Sequence, residues 1–314
     1  EAPATVTISR LPERGADVRH QGEAVEPGDL VVRAGAVLRG QELAAAASVG
    51  HGALRVHPRP RVLIVTTGAE LAAAGDGLAH GQIPDSNGFL LRGLVEEAGG
   101  AVAAHLRTGD SPGQLRDALD RAPQADLVIT AGGISQGTHE VVRRALGADA
   151  GFHRVAQQPG GPQGVGRTRV GSGEAPVICL PGNPVSVFVS FHVYVARALA
   201  VMARRLPKRR GITAPRTAPA VAAASWRSPR GKTQFIPLRA ASADEAGAAA
   251  PPVPPVAIPV VPVHALGSRS HLVASLPGAD FIGVVPPATT RVGPGDQLDV
   301  IDCSHRDGAA GGAR

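Results

Sequence analysis

The chain has 314 residues, a formal net charge of +6, 43% hydrophobic residues and only 3% aromatics. That length holds two or three domains and a sizeable core, while so few aromatics exclude base stacking as its main work. Two cysteines, Cys179 and Cys303, exclude a disulfide framework or a Cys-rich zinc motif. No apolar run of membrane-spanning length and no signal peptide are read, so the expected compartment is the cytoplasm, with no membrane partner. The densest basic cluster is Arg204, Arg205, Lys208, Arg209 and Arg210. It suits the negative end of a helix dipole better than a nucleic acid, and none is expected as partner. The positive balance suits an anionic small ligand.

Residues 1–58 read as short β elements, with DVRHQGEAVEPGDLVVRAGAVL alternating apolar residues and turns. Gln41 to Val49 is Ala-rich and reads as a short helix, broken by Gly50, Gly52 and Pro58. His20, His51 and His57 share no metal-ligand spacing. The chain enters mid-pattern at Glu1, which reads as a fragment or a chain lacking an N-terminal part. Arg61 to Thr66 is an unbroken apolar run and predicts a buried strand. Thr67 to Leu71 is the turn after it. Gly81 to Ser86 is a loop, and Ser86 or Asn87 is expected to cap a helix to about Ala98. Leu90, Leu91, Leu94 and Val95 form its apolar face, and Gly99-Gly100 stops it. Ala101 to Leu106 is the next strand. Asp110-Ser111-Pro112 opens a helix with Ser111 as N-cap and Pro112 at its first position. Leu127 to Thr130 feeds Gly132-Gly133-Ile134-Ser135-Gln136-Gly137, and a helix runs on to about Leu146. Val177 to Leu180 is a strand, followed by Pro181-Gly182-Asn183-Pro184 and a long helix to about Arg205.

Strands alternating with helices predict an α/β fold: a central, mostly parallel sheet with helices on both faces and right-handed crossovers. The expected divisions are an N-terminal β segment over 1–59, the α/β domain over 60–206 and a small β domain over 207–302. A disordered Gly/Ala-rich tail over 303–314 completes the chain. Ser242 to Pro255 is low-complexity and reads as a mobile loop.

Four turns fall at comparable places, after Thr67, at Asp110, after Thr130 and after Leu180. At the strand-end edge of an α/β sheet, backbone N–H groups collect and favour phosphate. Ser135, Asn183 and Ser186 can add side-chain hydrogen bonds. The alternative is that these glycines only make tight turns. Glu70 and Asp110 are the carboxylates of that edge, suited to a hard metal ion that shares substrate phosphates, or, for Asp110, to a helix cap. Gly133 to Gly137 also fits G-x-S-x-G, a hydrolase nucleophile elbow with Ser135 as nucleophile. Asp149 and His153, however, follow too closely to sit on separate later strands.

TTGAEL, GQIPDSN, GDSP, TAGGISQG and LPGNPVS occur in this order between residues 61 and 205. Together they resemble the molybdopterin molybdotransferase family, of the MoeA and gephyrin E-domain type. The resemblance implies a molybdopterin-binding core, an N-terminal β segment that is a remnant of longer N-terminal domains, and a C-terminal β-barrel closing with GSRSHLVASLPGADFIGVVP. It implies insertion of molybdate into adenylylated molybdopterin with release of AMP. It further implies magnesium, a homodimer, and a molybdopterin adenylyltransferase as candidate partner. Glu70, Asp110 and Glu140 then fall on catalytic acidic positions, with Glu70 and Asp110 at the metal. Thr67, Gly68, Asp85, Ser86, Asn87, Gly132, Gly133, Ser135 and Gly137 fall on substrate-binding positions, as do Arg154, Pro181, Gly182, Asn183, Pro184 and Ser186. Ala69 stands where the family has Asp, and Glu140 where Asp is typical. Gln158 and Gly161 stand where lysines normally face the anionic substrate, whereas Arg154 keeps a charge. Fewer point charges beside the substrate favour, as the alternative, a protein of the same fold that binds molybdopterin or a nucleotide without turnover.

Overall fold

The structure is a computed structural model and describes residues 5, 7, 9–135, 137, 140–204, 215, 217–247, 257–269 and 271–303. Residues 1–56 and 57–314 form two separate units. The first holds helix α1 (Gly40–Ser48) among turns and bends, as the Ala-rich run predicts. The β elements expected here are not formed, and no described residue of this unit lies in a strand. The alternating pattern finds no partner ladder in the unit, and an isolated hairpin is marginal in water. Leu11, Val18, Leu30 and Val37 stay exposed accordingly.

In the second unit the chain runs β1 (Arg61–Thr67), α2 (Ser86–Glu97), β2 (Ala101–Thr108), α3 (Pro112–Arg121), β3 (Leu127–Ala131) and α4 (Val141–Leu146). It continues through β4 (Ala150–Arg154), β5 (Pro162–Val170), β6 (Gly173–Leu180) and α5 (Pro184–Ser190). A π-helical turn over Phe191–Val195 leads into α6 (Ala196–Met202). The sheet order is β2-β1-β3-β6-β5-β4. The first four strands are parallel, and β5 and β4 extend the sheet antiparallel. This meander has no counterpart among the expected elements, because Gly151, Gly164 and Gly166 interrupt its strand pattern.

Period-two alternation in β1 divides the core. Val62 and Ile64 pack with Leu91, Leu94 and Val95 of α2 and with Val185, Val187 and Leu199 of the C-terminal helix. Leu63 and Val65 pack on the other face, with Leu115 and Leu119 of α3 and Val142 and Leu146 of α4. Helices therefore cover both faces. Ser111 caps α3 with Pro112 behind it, as expected. The cap of α2 is neither Ser86 nor Asn87 but Asp85, whose carboxylate accepts from the Gly88 N–H three residues on. The helix Pro184–Met202 is long and apolar enough by length and composition to cross a bilayer, but 61% of its apolar window is buried in this fold.

Strands β7 (Ala218–Ala222), β8 (Thr233–Ala240), β9 (Ile258–Pro262), β10 (Phe281–Val285) and β11 (Gln297–Asp302) close in the order β9-β7-β11-β10-β8-β9. This is the C-terminal barrel, filled by side chains such as Ile236, Leu238, Val260 and Val300. Gln157 and Gln158 pair in parallel with Thr233 and Gln234, tying the barrel to the α/β domain. The described part of the expected Ser242–Pro255 loop is a short helix, Ala243–Gly247, held by the Arg239–Glu245 ion pair. Its residues 248–255 lie outside the described residues, as do Arg205, Lys208, Arg209 and Arg210 and the tail from 304 onward. Cys303, expected in the tail, donates its backbone N–H to Asp280 at the barrel's edge.

Candidate functional site

Between β1 and β3 the strand order reverses direction, the place where open α/β sheets bind ligands. Gly132 and Gly133 turn the chain there with φ of 101° and 63°. A Cβ on Gly132 would stand 2.6 Å from the Thr67 carbonyl oxygen, so only glycine lets the β3 turn lie against the β1 end. Beside these turns opens a cleft of about 660 Å³. Gly133, Ser135 and Glu140 form one wall, and Pro181, Gly182, Asn183 and Ser186 form another. The 152–162 segment contributes Arg154, Gln158 and Gly161. The barrel contributes Lys232, Ser268, Arg269 and His271.

Each wall is held from behind. Asn87 donates its Nδ2 to the Gly182 carbonyl at 2.6 Å. Asn183 precedes α5 without a capping side-chain bond, and Pro184 occupies the first helical position. The first-turn amides of α5 thus lack a side-chain cap, as an anion site requires. The 157–161 loop is pinned by Gln157, whose Nε2 donates to Pro159 O at 3.1 Å. Gln163 Nε2 donates to Gly160 O at 2.8 Å and to Ser190 Oγ at 2.7 Å. The Tyr194 hydroxyl donates to Gln157 from the π turn. Ser190 ends α5, and Tyr194 lies in the locally widened turn that follows it.

The cleft's charge is strongly one-sided. Arg143, Arg154, Lys232 and Arg269 line it, against Glu140 as the single carboxylate among its described lining residues. Glu140 Oε2 accepts the Ser135 N–H at 2.7 Å. A side-chain oxyanion therefore occupies an amide of the loop in which phosphate binding was expected. The Arg143 guanidinium lies 5.6 Å from the centre of the Phe152 ring, a cation–π contact.

Of the expected site residues, Gly133, Ser135, Glu140, Arg154, Pro181, Gly182, Asn183 and Ser186 line this one cleft. Gly132, Gly137 and Pro184 are their neighbours in the same loops. The turns after β1 and β2 do not line the cleft. The Glu70 carboxylate folds back over Gly68, whose N–H donates to Thr108 O. Asp110 is exposed in the next turn, ahead of the Ser111 cap. Thr67 is buried beneath the Gly132 turn, with no hydrogen-bond partner for its hydroxyl. Asp85 is buried as a cap, Ser86 begins α2, and Asn87 acts through Gly182. No group of three or more metal-ligating side chains lies together among the described residues. Glu70 and Asp110 therefore do not form a closed protein cage for magnesium. The elbow reading of Ser135 gains nothing from Asp149, whose carboxylate pairs with Arg116 at 2.6 Å and accepts from Thr168 at 3.2 Å. Cys179 is buried, and burial pushes its thiol up to about 11, so it offers no thiolate.

Arg143, Phe152, Lys232, Arg269 and His271 line the cleft without having been singled out, and His153, weighed only as a triad partner, lines it too. Only the basic residues carried a signal, as cations near Gly-rich turns. Lys232 and Arg269 become legible only once the barrel is seen beside the sheet.

Asp85 makes a measurable prediction. Burial would push its carboxyl up, but hydrogen bonds from His105, Thr66 and the Gly88 N–H outweigh burial and hold it below the usual range. A depressed carboxylate contributes stability above its unfolded value, near 3.9, and loses it as pH falls through the folded value. Asp85→Asn is expected to cost about 1–3 kcal/mol at neutral pH. The gap to the unmodified chain should close below about pH 4, read by denaturant unfolding across pH; a pH-independent gap would refute this account.

Residues 63–201 match the family model described as "probable molybdopterin binding domain". Over 307 residues the chain is 39% identical to "Molybdopterin molybdenumtransferase 2" of Mycobacterium tuberculosis (strain H37Rv), covering 95% of this chain and 70% of that protein. The chain belongs to the molybdopterin molybdenumtransferase family. A second family member, "Molybdopterin molybdenumtransferase 1" of the same organism, is 30% identical over 303 residues, 94% of this chain and 66% of that one. The crystal structure of the molybdopterin biosynthesis moeA protein from Pyrococcus horikoshii shares the fold. Its TM-score is 0.63 at 23% identity, covering 89% of this chain and 63% of that one. The chain spans between 63% and 70% of the length of these family members.

Proposed function

We propose that this chain inserts molybdate into adenylylated molybdopterin with release of AMP. Family membership makes it a transferase of molybdenum cofactor biosynthesis. The observation that best supports the finer reading is the cleft, where four cations and the uncapped first turn of α5 face one carboxylate. Its size suits a small ligand rather than a polymer. Phosphate groups of the substrate would sit against the amides of the Gly133 and Gly182 loops. Lys232, Arg269, Arg143 and Arg154 would offset the repulsion between those phosphates and incoming molybdate, an electrostatic contribution available only where fixed charges are already in place. Glu140 leaves the Ser135 amide when a phosphate replaces it, and its carboxylate is then available beside the reacting groups.

Magnesium enters the proposal only as a companion of the substrate's phosphates; Glu70 and Asp110, expected to hold it, lie outside the cleft, and no step is derived through it. A homodimer, a molybdopterin adenylyltransferase as supplier of substrate and a cytoplasmic location complete the reading. The test is direct. Purified chain given adenylylated molybdopterin, molybdate and magnesium should release AMP in proportion to molybdate consumed. A second reading, binding without turnover, draws on a specific observation: Gln158 and Gly161, both uncharged, line the cleft, while Glu70 and Asp110 do not. Tight binding with no AMP released would favour it over the first.

A further inference from the structure

We propose that His105 is a positioning residue for the cleft, acting from β2 through Asp85 and Asn87 on the Pro181–Asn183 loop. His105 Nε2 lies 2.9 Å from Thr66 Oγ1 and 3.3 Å from Asp85 Oδ2. Thr66 donates its one hydroxyl proton to Asp85 Oδ2 at 2.6 Å. The proton between Thr66 and His105 must then come from the imidazole, which makes Nε2 a donor. Asp85, 3% exposed, thereby takes the Thr66 hydroxyl proton with the His105 Nε2–H directly behind it, 3.3 Å from the same oxygen, while its other oxygen takes the Gly88 N–H at 3.0 Å. That last bond fixes the first turn of α2.

Shape reinforces the bond. A Cβ on Gly88 would stand 2.1 Å from His105 Cε1, so the imidazole fills the space that glycine leaves open. The first turn of α2 and the ring interlock, and Asn87 is set in the same turn. Asn87 is 7% exposed and donates to the Gly182 carbonyl at 2.6 Å. Gly182 in turn packs on Gly132, its absent Cβ 3.3 Å from the Gly132 Cα. One continuous set of contacts thus runs from His105 to both Gly-rich walls of the cleft. An apolar side chain at 105 would fill the same space, but only a donor satisfies a buried carboxylate. The role assigned is therefore placement of the loop, not chemistry at the substrate.

The proposal rests on the functional reading only for its second measurement. The first is hydrogen exchange of the 180–186 amides in ligand-free protein. His105→Ala and Asn87→Ala are each expected to speed exchange there about tenfold, the scale of one lost hydrogen bond. His105→Gln, which keeps a donor at the Nε2 position, should return it to near the unmodified rate. Val170→Ala, in the core on the α3 side of the sheet, controls for general loosening and should leave 180–186 unchanged at an equal loss of melting temperature. The second measurement is AMP release, where His105→Ala should raise KM about tenfold and His105→Gln should restore it. Unchanged 180–186 exchange in His105→Ala, or an acceleration matched by Val170→Ala, overturns the proposal. If His105→Ala does not fold, Asn87→Ala and His105→Gln decide it by the same exchange measurement. Loop exchange that behaves as expected in a chain that releases no AMP would sustain the positioning role and reject the transferase chemistry.

Discussion

Gly132→Ala is expected to abolish useful turnover, with AMP release down at least about a hundredfold. Two costs combine. The φ of 101° lies where an L side chain is strained, about 1–3 kcal/mol. The new Cβ would also press to 2.6 Å from the Thr67 carbonyl and 2.9 Å from its hydroxyl. The first of these is backbone at the end of a buried strand and cannot swing away. Relief must come from the turn itself, which moves Gly133 and Ser135 in the cleft wall. Displacements of about 1 Å in a site of this kind cost about two orders of magnitude in rate. Stability should fall as well, by about 2–5 kcal/mol once overpacking is added to strain. Melting curves separate the two effects, because the rate loss should persist well below the lowered transition. Gly137→Ala is the comparison. The nearest atom a Cβ there meets is the end of the flexible Glu140 side chain, at 3.0 Å, so its loss should be much smaller. Equal losses in the two variants would mean that the β1–β3 approach is not what shapes the wall.

The same pair of strands shows what the sequence could and could not reveal. The runs RVLIVTT and LVITA are unbroken and apolar because both of their faces are covered, and that is how they were legible as buried parallel strands. The turns after β3 and β6, which line the cleft, were legible as loops because glycine and asparagine stand at helix entries. In the wall between Phe152 and Pro162 the resemblance pointed to Arg154, Gln158 and Gly161, but the strands around it were not legible. They carry glycine where a neighbour comes close, as at Gly164 of β5, where a Cβ would meet the Phe152 ring at 2.8 Å. Glu70 and Asp110 belong to the same sheet edge, but the order β2-β1-β3-β6 sets their turns toward β2, while the cleft lies beside β3 and β6. Local pattern identifies an edge; only strand order tells which half of it a ligand can share. The N-terminal segment failed for a related reason, since alternation marks a strand only where a partner ladder exists.

Lys232 and Arg269 lead to the second large effect, because they make the barrel part of the binding surface rather than a support. Both come from segments around the barrel that local pattern leaves silent. They reach the cleft because Thr233 and Gln234 pair with Gln157 and Gln158, which carries the loop before β8 onto the 152–162 wall. Lys232 is half-buried, so its charge is less screened than that of the exposed Arg269. Lys232→Ala is expected to weaken binding of adenylylated molybdopterin about thirtyfold, and Arg269→Ala about fivefold, within the range for removing a charged partner of a phosphate. The double variant should lose close to the product if the two cations act on different oxygens, and less if they share one. Both single variants should also flatten the dependence of affinity on salt, since each removes a fixed charge from the attraction. Titration calorimetry at two ionic strengths reads all of these. Lys232→Ala with unchanged affinity at both strengths would return the barrel to a purely structural role and leave the amides, Arg143 and Arg154 to hold the anion alone.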